Sequence, residues 1–300
     1  MAMIDEILAL KKERQATILA HNYQIPEVQD IADHVGDSLE LSRVAAGLDS
    51  EVIIFCGVDF MAETAAILSP KKKVVQPAKG AWCPMAHMIK PEQLQDLKAL
   101  HPEAAVVSYV NSTAEIKALS DVCCTSANGV QVVASLPEKE VIFVPDRNLA
   151  AYVARHTDKK IIPWNGYCYV HDHLTTEQVK DARKEHPQAE VLVHPECRPE
   201  VIDMADFVYS TAGMGRHAKS SKATQFIIGT ETGMIHRLKK ENPNKQFYPL
   251  NKNAICQNMK KTDLEKVLSA LKTLQPQVTV PEEIGRKAKI AIDNMLAVKV

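Results

Sequence analysis

Three of the seven cysteines, Cys83, Cys168 and Cys256, recur at spacings of 85 and 88 residues. Their surroundings recur with them: KKVVQPAKGAWC, KKIIPWNGYC and NKQFYPLNKNAIC each read as a strand, a short loop and a cysteine. Three thiolates brought to one point make a soft metal site. Zinc could complete the set with a histidine, but these cysteines lie far apart, unlike the short hooks of structural zinc. A [4Fe–4S] cube with three protein ligands fits better and leaves one iron open to act as a Lewis acid on a substrate oxygen. Cys56, Cys123, Cys124 and Cys197 sit in or beside strands and lack counterparts in all three places, so they read as buried small residues. The odd total and the absence of C-x-x-C support neither a disulfide framework nor a four-cysteine zinc ribbon.

Polar residues recur as well. His21-Asn22-Tyr23, Tyr109-Val110-Asn111 and His194-Pro195-Glu196 each end a strand-like run, and together they offer imidazole, phenol, amide and carboxylate for acid–base work. Ser38, Ser126 and Thr211 follow at spacings of 88 and 85. Each is suited both to start a helix and to meet an anion at the helix N-terminus. His87, His171 and His173 are expected at the surface or behind the site, Glu63, Arg147 and Glu231 in ion pairs between units, and Lys71-Lys72-Lys73 in a solvated turn. The one G-x-G, starting at Gly213, lacks the full dinucleotide pattern, and no phosphate-loop motif occurs.

The elements that position these residues form an α/β pattern. Near-continuous apolar runs such as EVIIFCG, AVVSYV, EVIFVP, EVLVHP and QFIIG alternate with helical stretches, which predicts parallel sheets covered on both faces. HPEAAVVSYVNS and HPQAEVLVHPEC are 85 residues apart, and ERQATILAHNYQ is a weaker third copy. The reading is three homologous α/β/α units, residues 1–85, 86–170 and 171–260, followed by a helical segment, 261–300. Its last helix, 281–300, is expected to pack back on the first unit. Functional loops lie at the carboxyl ends of such strands. Pseudo-threefold closure would therefore gather the three cysteines and the polar sets around one central site.

With 36 Lys+Arg against 37 Asp+Glu, the net charge of −1 argues against a general nucleic-acid or acidic-membrane binder. No apolar run reaches the roughly 20 residues of a membrane helix. The amphipathic start, MAMIDEILALKKERQ, lacks the features of a signal peptide, so the expected location is cytoplasmic.

The segments ILAHNYQ, PEVQDIADHVGDSLELS, YVNSTAEIKALSDVCCTSAN, HPEC and STAGM, with the three cysteines, resemble the quinolinate synthase (NadA) family of NAD biosynthesis across nearly the whole chain. The resemblance implies three α/β/α domains around a [4Fe–4S] cluster on Cys83, Cys168 and Cys256. It implies condensation of iminosuccinate (iminoaspartate) with dihydroxyacetone phosphate to quinolinate, releasing phosphate and two waters. An L-aspartate oxidase or dehydrogenase would supply the imine. The implied substrate-binding positions are His21, Ser38, Tyr109, Val110, Asn111, Ser126, His194, Pro195, Glu196 and Thr211. His21 and His194 would hold carboxylates and phosphate, while Tyr109 and Glu196 would shuttle protons. Glu196 would need a raised pKa to work near neutrality. Ala212 in STAGM departs from the glycine expected in many relatives. Two other readings stay open, another [4Fe–4S] hydro-lyase on a small polycarboxylate and a non-catalytic three-unit binding module.

Overall fold

A computed structural model describes residues 2–298 and contains three four-stranded sheets, each wholly parallel. The first holds β1 (Ala16–His21), β2 (His34–Gly36), β3 (Val52–Cys56) and β4 (Lys73–Val75). The second holds β5 (Ala105–Tyr109), β6 (Val122–Cys124), β7 (Glu140–Val144) and β8 (Lys160–Pro163). The third holds β9 (Glu190–Val193), β10 (Phe207–Val208), β11 (Gln225–Gly229) and β12 (Gln246–Pro249). Every sheet has the same order, second strand, first, third, fourth. The six central strands are apolar runs buried on both faces, as helix-covered parallel sheets require.

Helices α1 (Ala2–Glu13), α2 (Pro26–Ile31), α3 (Ser38–Gly47) and α4 (Asp59–Leu68) accompany the first sheet. The second has α5 (Pro91–Leu100), α6 (Ala114–Ala118), α7 (Gly129–Ser135) and α8 (Arg147–Ala154). Next come α9 (Tyr169–Asp172), α10 (Thr176–Glu185), α11 (Pro199–Ile202), α12 (Thr211–Ser220) and α13 (Met234–Glu241). The chain closes with α14 (Leu264–Thr273) and α15 (Glu282–Ala297).

Two side-chain devices recur in all three units. Before each short edge strand an aspartate (Asp33, Asp121, Asp206) donates its amide to the carbonyl of Ile18, Val106 or Val191. Its Oδ2 accepts that same residue's amide at 2.8, 2.7 and 2.7 Å. This two-point clasp orders β2, β6 and β10, of which the first two are only three residues long. A lysine then closes the C-terminus of the helix that follows. Lys72 donates to Leu48 O, Lys159 to Leu136 O, and Lys245 to Ala218 O and Ser221 O. The ammonium meets unpaired carbonyls at the negative end of the helix dipole. Lys72 is thus a half-buried helix cap rather than part of a solvated turn.

The seams between units differ. One apolar cluster runs through the first two, from Leu19 and Phe55 to Val107 and Phe143, and takes in Ile292 of α15. The third unit has its own clusters, around Val191 and around Phe226. Helix α15 lies mainly on α6 and β6 of the second unit, touching α4 of the first, while α14 covers α1 and β3. The first-unit contact expected of residues 281–300 is therefore the smaller one, and residues 299–300 lie outside the described chain. The third unit is tied on by polar groups, with Lys240–Asp30 at 2.6 Å, Arg155–Asp203 at 2.5 Å and Arg237–Glu40 at 3.2 Å.

The clasp predicts a stability effect. Asp121→Ala strands the Val106 amide in the sheet and should cost about 1–3 kcal/mol. Asp121→Asn keeps an acceptor and should lose less, as read by urea denaturation of both variants.

Candidate functional site

The recurring residues meet in one cavity where the carboxyl ends of the three sheets converge. Four rings, each with one residue per unit, line it. His21, Tyr109 and His194 lie at the ends of β1, β5 and β9, and Tyr23, Asn111 and Glu196 follow two residues later. Ser38 opens α3 behind the Asp37 cap, Ser126 precedes α7, and Thr211 opens α12 behind the Ser210 cap. Cys83, Cys168 and Cys256 form the fourth ring, with Phe60, Met61, Met85 and Met259 as apolar wall. Two expected contacts do not line the cavity. The Val110 amide is spent on Cys124 O at 2.7 Å, and Pro195 faces a neighbouring cleft beside Tyr209.

Each cysteine precedes a single helical turn. Burial pushes all three thiols up, while the amide of the third residue on (Ala86, His171, Met259) donates towards the sulfur and opposes that rise. Their own amides are held by acids at equivalent places. Cys83 N donates to Asp59 Oδ1 and Cys256 N to Glu231 Oε1, both at 3.0 Å. Asp146 faces the Cys168 amide. The thiols are unpaired and neutral as they stand, so a soft metal would have to displace their protons. Three convergent sulfurs with ordered backbones fit a three-thiolate group. Cys168, His171 and Glu196 also bring ligand atoms within 4.8 Å of one another. The other four cysteines are fully buried.

Among the outer residues, Glu63 reaches the second unit through a backbone amide, that of Ala114 at 2.9 Å, rather than through the expected ion pair. Glu231 instead turns inward to Lys260 of its own unit, at 2.9 Å. Arg147 pairs with Asp172 at 3.1 Å, His87 with Asp59 at 2.6 Å, and His173 is exposed.

Glu196 is the electrostatic hub and only 2% exposed. Tyr109 Oη donates to its Oε1 at 2.5 Å, and His171 Nδ1 lies 2.6 Å from its Oε2. Two lone pairs would repel at that distance, so a proton lies between them, and with the carboxyl ionised it belongs to Nδ1. Burial alone would raise the carboxyl pKa. The imidazoles of His171 and His194 and the hydrogen bonds from His171 and Tyr109 outweigh it and bring it down to about 2. The raised Glu196 expected from a dry cavity is therefore overturned: the side chain is buried, but the carboxylate is paired. The Tyr109 phenol moves the opposite way, well above its ordinary value, through burial and the charge of Glu196.

His21 and His194 are neutral, each lowered to about 3, chiefly by burial. In both, Nδ1 accepts the backbone amide two residues on, Tyr23 N at 3.2 Å and Glu196 N at 3.3 Å. The remaining proton must sit on Nε2. Both rings are thus neutral donors, and His194 Nε2 is 3.1 Å from Ser126 Oγ.

A family model described as "Quinolinate synthetase A protein" (NadA) matches residues 5–297. The chain belongs to this family. NadA relatives include the quinolinate synthase of Methanoregula boonei, 59% identical over 98% of this chain and 97% of that protein. Quinolinate synthase 1 of Methanosarcina acetivorans is 57% identical over 99% and 98%, and the Thermodesulfovibrio yellowstonii enzyme 57% over 98% and 97%.

Tyr23, named in the first polar set but given no role of its own, lines the NadA cavity in one ring with Asn111 and Glu196. His171 was expected at the surface or behind the site but is 1% exposed at its centre. Its counterparts in the repeat are Ala86 and Met259, so no pattern singles it out.

The neutral histidines set a pH dependence. Their folded pKa of about 3 lies below the ordinary 6.5, so their contribution is complete above pH 6.5 and declines as pH falls towards 3. Each should cost about 2 kcal/mol between pH 7 and pH 5. In urea denaturation at the two pH values, His194→Gln should lose correspondingly less than wild type.

Proposed function

We propose that this cavity makes quinolinate from iminosuccinate and dihydroxyacetone phosphate, in the cytoplasm, around a [4Fe–4S] cluster held by Cys83, Cys168 and Cys256. The observation that carries the reading is one thiol per unit converging on a paired Tyr109–Glu196 acid and base. When bound, the cluster supplies an iron without a protein ligand, a Lewis acid that draws electron density from a substrate oxygen and eases loss of water.

The side chains divide the remaining work. His21 and His194, as Nε2–H donors, and the hydroxyls of Ser38, Ser126 and Thr211 hold carboxylate and phosphate oxygens without adding charge. Asn111 Oδ1, buried and unpartnered, accepts a hydrogen from the imine or a hydroxyl. Glu196 is ionised from the start and takes the proton lost when dihydroxyacetone phosphate enolises and when the new carbon–carbon bond is followed by dehydration. The Tyr109 phenol keeps its proton and gives it to departing oxygen while Glu196 stands ready to restore it. His171, Thr230 and Tyr23 extend this hydrogen-bond chain, with Tyr23 Oη 2.7 Å and His171 Nε2 2.8 Å from Thr230 Oγ1. The reaction class that feeds the site is oxidation of aspartate to its imine, by an oxidase or a dehydrogenase.

Anaerobic metal analysis tests the cluster. About four irons and four sulfides per chain are expected, lost in Cys83→Ser, Cys168→Ser or Cys256→Ser and kept in Cys123→Ser. A single ion on Cys168, His171 and Glu196 is the second reading. It leaves Cys83 and Cys256 without a role, and one zinc per chain without sulfide, retained in Cys83→Ser and Cys256→Ser, would establish it. For the chemistry, Glu196→Gln and Tyr109→Phe should each lower kcat, the first by about 10²–10⁴-fold. Near-normal turnover in both would remove them from the mechanism. Quinolinate formation should require the triose phosphate.

A further inference from the structure

Between the first and third units, beside the cavity, a chain of hydrogen bonds runs from a charged side chain to Thr211. Arg237 Nη1 donates to Asn22 Oδ1 at 2.9 Å. Asn22 Nδ2 donates to Thr211 Oγ1 at 2.8 Å. Asn22 and Thr211 are both buried, and Thr211 lines the cavity. The guanidinium is fixed by Glu241, 2.7 Å from Nε, and by Glu40, 3.2 Å from Nη1. Glu40 Oε2 also accepts the Asp37 amide at 3.1 Å in the capping box of α3, next to Ser38.

The direction of this chain follows from chemistry alone. A guanidinium has five N–H donors and no acceptor, so the Asn22 atom facing Arg237 must be oxygen. The Asn22 NH₂ group is thereby turned to Thr211, whose oxygen must accept. Among the described residues Asn22 is the sole hydrogen-bond partner of Thr211 Oγ1. Its own proton is left to point into the cavity.

We propose that Arg237 and Asn22 are positioning residues that turn the Thr211 hydroxyl proton towards the cavity, so that its place there favours an anionic oxygen. The inference rests on the reading of Thr211 as a substrate contact and adds the polarity of that contact. Without Arg237 the Asn22 amide could turn over, and the Thr211 hydroxyl would satisfy it instead of the ligand. The anionic oxygen belongs either to a carboxylate of the dicarboxylate skeleton or to the phosphate of the triose phosphate. Two ligands distinguish these sources.

The experiment measures the affinity of the anaerobic, cluster-loaded protein for quinolinate and, separately, for dihydroxyacetone phosphate. The variants are Thr211→Val, Arg237→Met, Arg237→Lys, Asn22→Asp and the Thr211→Val/Arg237→Met double variant. Loss of one hydrogen bond to a charged oxygen should weaken one of the two ligands by about tenfold in Thr211→Val. Arg237→Met should reproduce that loss for the same ligand, the double variant should be no weaker than Thr211→Val, and Arg237→Lys should restore most of the affinity. Asn22→Asp keeps the shape but cannot donate, so it should match Thr211→Val on that ligand while sparing the other. A general charge or folding effect would weaken both ligands, and additive losses would mean the two residues act separately. Either result overturns the chain, as does an unchanged Arg237→Met where Thr211→Val is weakened. If Thr211→Val itself weakens neither ligand, the underlying reading of Thr211 fails first.

Discussion

The cavity depends on keeping one carboxylate ionised away from water. An isolated buried carboxylate costs several kcal/mol and ordinarily takes up a proton instead. Glu196 avoids this because the phenol of Tyr109 and the imidazole of His171 both reach it, at 2.5 and 2.6 Å. Tyr109 comes from the end of β5, His171 from the turn after the second cysteine, and Glu196 from the end of β9. The charge is therefore stable only when second- and third-unit elements are assembled, and Tyr23 adds the first unit through Thr230. The ionised form of Glu196 and the closed arrangement of the units are the same condition.

The same reasoning separates donors from charges around the ring. His21 and His194 look in sequence like cations for carboxylates, yet each is fixed as a neutral tautomer by the amide two residues ahead. On the proposed function, two anionic substrates would be selected here by aimed neutral donors, without additional buried cations having to be fixed. Positive charge stands further back, on Arg237 and Lys260, where it orients other groups. Lys260, for example, holds Tyr23 O and Glu231.

How much of this was legible depended on repetition. The central strands, the cysteines and the three hydroxyls stood out because each occurs three times at nearly constant spacing. The two short edge strands β2 and β6 did not, since each is only three residues long and is fixed by an aspartate clasp. His171 stood outside the pattern, opposite an alanine and a methionine. The protonation of Glu196 was misjudged for a related reason: its motif indicated burial but not the imidazoles that the fold packs beside it. Val110 and Pro195 came along with their motifs, although one spends its amide on a sheet neighbour and the other faces away. Spacing identified positions well, whereas the sign of an interaction required three dimensions.

The rings also bear on what a single chain makes possible. Were the three units separate identical subunits around a true threefold axis, every ring would carry one residue type three times. Three glutamates would then face each other where Tyr23, Asn111 and Glu196 now stand, and no arrangement could keep all three ionised. Covalent linkage lifts that restriction. It lets the cysteine ring stay identical, as a symmetric metal group favours, while the ring two residues beyond the strand ends divides into a phenol, an amide and a carboxylate. Donor and acceptor become distinguishable only because the symmetry is approximate.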